Sequence, residues 1–66
     1  MSAQFIIEYA GAPVRFINGQ IELVKEEHAD KFVSEPAAWF AAYRADLNLD
    51  RIQVVNAYIR HNHPAL

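Results

Sequence analysis

Val14-Arg15-Phe16-Ile17-Asn18-Gly19-Gln20-Ile21-Glu22-Leu23 decides how this chain begins to fold. Asn-Gly is the strongest short hairpin signal, because both central residues of the favoured two-residue turn need positive φ. A turn at Asn18-Gly19 places Ile17 opposite Gln20, Phe16 opposite Ile21, Arg15 opposite Glu22 and Val14 opposite Leu23. Val14, Phe16, Ile21 and Leu23 then share one face, and Arg15 meets Glu22 on the other. Side chains alternate faces along a strand, so this pairing sorts apolar from charged residues without conflict.

Working outward, Ala10-Gly11-Ala12-Pro13 predicts a second turn and an earlier strand. With Tyr9 opposite Val14, Ile7 faces Phe16, Glu8 faces Arg15 and Ile6 faces Ile17. Phe5, Ile7 and Tyr9 join the apolar face, and Arg15 is flanked by Glu8 and Glu22. The expectation is a three-stranded antiparallel meander over roughly 3–9, 13–17 and 20–24. Ile6 and Ile17 would form a small apolar patch on its other face, a common mark of a contact site.

After Lys25 the alternation ends. The stretch 25–32 suits a short helix or turn with Phe32 inward. Ser34-Glu35-Pro36 predicts a helix start, with Ser34 as the cap and Pro36 in the first turn. Phe40, Tyr43 and Leu47 recur at helical spacing beside Trp39, among alanines that favour helix. Asn48-Leu49-Asp50 breaks that pattern. Asp50 with Gln53 resembles a capping box and predicts a last helix carrying Ile52, Val55 and Ile59 on one stripe. The fold class expected is a single small α+β domain over 1–66, with the meander followed by two or three short helices.

Size and composition narrow the function classes. The chain has 66 residues and no cysteine. It therefore lacks the disulfide or Cys-based zinc knot that often stabilises so small a core, which favours burial supplied by a partner or by self-association into a homodimer. Hydrophobic residues at 53% against charged residues at 21% indicate a folded chain rather than a disordered one. The start, Met-Ser-Ala-Gln, shows no basic segment leading into a long apolar run, and no stretch is long enough for a membrane span. A cytoplasmic location away from the membrane is expected. Net charge is −2, whereas nucleic-acid binders carry a basic excess to neutralise phosphates.

Catalytic patterns are thin. Ser2 and Ser34 are the only aliphatic hydroxyls, and Ser34 sits where a cap belongs. Glu26, Glu27 and Asp30 around His28 read as a solvated face bracketed by Lys25 and Lys31. His61 and His63, even with His28 or Asp30, make only a partial metal site, so neither metal nor other cofactor is expected. Two glycines, both needed for turns, leave no phosphate-cradling loop or small-molecule site to expect. The candidate partner-binding residues are Ile6, Ile17, Arg15 and Trp39. On the predicted last helix, Gln53, Asn56 and Arg60 would share a stripe of base-reading side chains, with Arg44 and Arg51 available for phosphate contacts.

Tyr9, Gly11, Pro13-Val14-Arg15-Phe16, Gly19, Ile21, Leu23 and Pro36-Ala37-Ala38-Trp39 together resemble the opening of the KilA-N domain of phage and large DNA-virus proteins. The likeness covers residues 9–44. Glu22-Leu23-Val24 stands where that family usually has Asn-Leu-Thr, and an acidic run follows. The resemblance implies a phage or mobile-element origin and a DNA-linked ancestry. The expected function is that of a non-catalytic regulator, inhibiting or modulating a protein partner; the alternative is a KilA-N-like DNA-binding module.

Overall fold

The computed structural model describes residues 4–57. Over these residues it is an α+β fold with four antiparallel strands and one α-helix. The strands are β1 (Phe5–Tyr9), β2 (Ala12–Ile17), β3 (Gln20–Leu23) and β4 (Ile52–Asn56). They lie in the order β3-β2-β1-β4. The helix, α1, runs over Glu35–Arg44, and 3₁₀ turns occupy Glu26–His28 and Leu49–Arg51.

The β2–β3 hairpin has the expected register, Val14 with Leu23 through Ile17 with Gln20. Asn18 and Gly19 both take positive φ, as the two-residue turn requires. The first hairpin is tighter than expected. Tyr9 pairs with Ala12 and Glu8 with Pro13, not with Val14 and Arg15. Ala10 adopts φ 51° beside Gly11 at 90°, so a turn that a non-glycine residue normally disfavours forms with two residues rather than four. The shift is even, so every side chain keeps its face. Arg15 pairs with Glu22 at 2.7 Å, while Glu8 stands opposite Pro13.

Beyond that turn β1 and β2 splay, and the segment after the first 3₁₀ turn fills the gap. Asp30 N–H donates to Val14 O at 3.3 Å, and Phe5 and Phe32 exchange backbone bonds at 2.9 and 2.8 Å. The Phe16 N–H donates to Asp30 Oδ2 at 2.9 Å. One carboxylate thus stands in for a strand, satisfying a backbone donor that the splay would otherwise leave unpaired. Phe32 packs edge-on against Phe16, ring centroids 6.4 Å apart.

Over residues 52–56 the predicted last helix is instead the fourth strand. Asn48 Oδ1 accepts from the Asp50 N–H at 3.0 Å, nucleating a 3₁₀ turn where the capping box was expected. Ile52, Val54 and Val55 are β-branched and favour strand. They pair with β1 from Tyr9–Ile52 to Phe5–Asn56. Ile59, assigned to that helix, lies outside the described residues.

α1 begins as expected. Ser34 Oγ accepts from the Ala37 N–H at 3.2 Å, and Pro36 lies in the first turn. The helix covers the sheet face bearing Ile7, Val14 and Ile52, with Phe5, Phe16, Phe32, Trp39 and Leu47 packed around them. The opposite face of β1 is closed by Ala29, Ala57, Val24 and Val55 around Ile6. Both faces of the central strand are therefore buried, and Ile6 and Ile7 are each 0% exposed.

Candidate functional site

Which way α1 turns its side chains determines what this surface can do. Residues 38 and 42, one helical turn apart, lie on one face. Ala38 and Ala42 are fully buried, so the helix approaches the sheet through methyl groups. Phe40 and Tyr43, the aromatics that recur at helical spacing, are 58% and 69% exposed. The inversion has a steric cause. Phe5, Phe16, Phe32 and Tyr9 already fill the space above the sheet, and small side chains are what remain compatible with close helix–sheet packing. Leu47, beyond the helix end, does pack on the core.

The result is a solvent-facing aromatic surface. Phe40 carries the Arg44 guanidinium 5.7 Å from its ring centre, a cation–π distance. Tyr43, Arg44, Asp46, Leu47 and Leu49 line an open depression at the end of α1, and Leu49 is itself exposed. Trp39 is half-buried against the core, and its Nε1–H reaches Glu35 Oε2 at 3.4 Å. An apolar cluster of this kind, rimmed by Arg44 and the carboxylates of Glu35 and Asp46, suits a protein partner better than a small polar ligand.

The sheet patch expected at Ile6 and Ile17 does not form. Ile6 is sealed at 0% exposure, and Ile17 alone reaches solvent, at 39%. Phe5-Ile6-Ile7 carried the signal in the sequence: an unbroken apolar run marks a strand covered on both faces. Arg15 remains partly exposed but is engaged by Glu22. Of the four expected partner-binding residues, Trp39 alone borders the aromatic surface.

The base-reading stripe is also dispersed. On a strand, Gln53 and Asn56 point to opposite faces, and Arg60 lies outside the described residues. Arg44 and Arg51 are exposed, but Arg44 lies over Phe40. His61 and His63 fall outside the described residues too. Asp30, considered as their possible co-ligand, bonds the Phe16 backbone. Among the described residues no three histidine or acidic side chains converge on a point where a metal could sit. Nor is any described helix long and apolar enough to cross a membrane.

Compared with family models, curated proteins and solved structures, the chain matches none.

Proposed function

We propose that this protein is a non-catalytic interaction module that modulates a protein partner docking on the outer face of α1. The observation that carries the reading is the inverted helix: alanines at 38 and 42 inside, Phe40 and Tyr43 outside. A soluble helix ordinarily buries its aromatic residues, since covering one ring contributes about 1.5–3 kcal/mol. Two left in water on adjacent turns represent binding energy held for a partner. The partner's matching surface is apolar, with a carboxylate placed to meet Arg44.

The test is affinity capture from native host lysate with the wild-type chain and with Phe40→Lys, each with and without nuclease. Phe40 is more than half exposed, so the variant folds. A nuclease-resistant protein captured by the wild type and lost with Phe40→Lys supports the proposal. Equal capture by both, or capture abolished by nuclease, refutes it.

A further inference from the structure

We infer that a second copy of this chain docks edge to edge on β4, with the Trp39–Tyr43 flank of α1 packing against its counterpart. This goes beyond the interaction reading above: it concerns a separate contact, through the sheet edge, that leaves Phe40 to the other partner.

The first observation is the edge itself. β4 is an outer strand of the sheet. The Ala10 N–H donates to Arg51 O, and the Ala57 N–H to Gln4 O. Antiparallel bonding alternates, so Arg51, Gln53, Val55 and Ala57 turn their backbone groups toward β1. Val54 turns its N–H and C=O outward, where no described residue meets them. Ile52-Gln53-Val54-Val55-Asn56 contains no charge and no proline, the usual devices that keep an edge strand from pairing. The other edge, β3, is shorter and carries Glu22 in an ion pair with Arg15.

The second observation is independent and concerns the helix. Phe32 pairs with Phe5 at the start of β1, and Ile52 pairs with Tyr9 at its end. α1 therefore runs in the same sense as β1, and it packs over β1 and β4. Seen from the helix with β1 upward, L-residue chirality places β2 to the right and β4 to the left. With Ala38 and Ala42 inward, a right-handed helix then directs Trp39 and Tyr43 to the left. The aromatic flank overhangs the unpaired edge.

A two-fold axis through the Val54 pair satisfies both features at once. Each Val54 N–H donates to the other copy's Val54 C=O, making one eight-stranded antiparallel sheet. Adjacent strands lie about 4.8 Å apart, and α1 sits over the middle of β1 and β4. The two helix axes therefore come within about 10 Å, the normal packing distance of helices. The contact is isologous and closes on itself. Trp39, near the middle of α1, meets its symmetry mate, and Tyr43 meets the first turn of the other helix. Phe40 points away from the axis and stays available.

The experiment is sedimentation equilibrium of the full chain over roughly 1–500 μM, a range that brackets ordinary micromolar dimers. Emission of Trp39, the sole tryptophan, is followed on dilution. The wild type is expected to reach twice its 7.5 kDa chain mass, with emission shifting to the red as the dimer dissociates. Val54→Pro removes an N–H that no ladder bond among the described residues uses, and Tyr43→Asp places a charge on the flank. Each should raise the dissociation midpoint at least tenfold with the far-UV circular dichroism unchanged. If Val54→Pro fails to fold, Tyr43→Asp, at a 69% exposed position, decides alone. A wild-type monomer throughout the range overturns the inference, as does a folded Tyr43→Asp that keeps the wild-type midpoint. Phe40→Lys should leave the midpoint unchanged. A monomer that still loses its captured partner on Phe40→Lys would refute the dimer and leave the interaction reading standing.

Discussion

Replacing Asp30 with alanine removes the acceptor that holds the splayed part of the sheet together. Asp30 Oδ2 takes the Phe16 N–H at 2.9 Å, in a gap that no strand fills. A hydrogen bond to a charged acceptor contributes about 1.5–3 kcal/mol, and the orphaned N–H, part-buried, keeps the loss near the upper half of that range. Asparagine retains a neutral acceptor at the same reach, so Asp30→Asn should cost about 1 kcal/mol. A chain of 66 residues has a total stability of roughly 3–10 kcal/mol. The alanine variant therefore forfeits a large share of it and melts about 10 °C lower or more. Urea unfolding followed by circular dichroism measures both variants, with the slope checked for two-state behaviour. An Asp30→Ala variant within 0.5 kcal/mol of wild type would refute the reasoning. So would an Asp30→Asn variant as damaged as the alanine one, because the acceptor would then not be the operative feature.

Further substitutions probe other parts of the account. Ala10 sits at φ 51°, so Ala10→Asn, which makes the turn Asn-Gly, should stabilise by about 0.5–1 kcal/mol in the same urea assay. Ile6→Lys places an unpaired charge at a fully buried position and should unfold the domain, with loss of the folded circular dichroism signal. Ala42→Leu forces bulk into the helix–sheet contact and should cost about 1–3 kcal/mol, whereas Phe40→Ala should change stability by less than about 1 kcal/mol. Duplex DNA should not retain the chain even at low salt, given its net charge of −2.

Local chemistry made some of the fold legible. Asn18-Gly19 specified the second hairpin to the residue, because a two-residue turn with alternating neighbours admits one register. Ser34 and Pro36 located the start of α1, since capping is a short-range interaction. Where tertiary context decides, the same reading went astray. Ala10 is forced into a left-handed conformation by the strands it joins, which propensity alone argues against. Ile52 and Val55, three apart, mimic a helical stripe, yet β1 needs a partner on its open side and β-branched residues supply it. The site followed the same division. Trp39 was singled out in the sequence and lies half-buried beside that surface, but helical spacing alone did not show which way Phe40 and Tyr43 face. Their exposure depends on four other rings already occupying the core, which becomes visible only when strands and helix are assembled. Ile6 failed as a surface residue for the complementary reason: the segment that covers it comes from residues 24–29 and 57, distant in sequence from β1.

The most direct test of the central claim is a paired measurement on the double variant Phe40→Ala/Tyr43→Ala. Chemical unfolding should place its stability within about 1–2 kcal/mol of wild type, since both rings face solvent, while capture of the protein partner disappears. A double variant that unfolds, or one that stays folded and captures the partner as the wild type does, would contradict the claim that α1 reserves its aromatic face for binding.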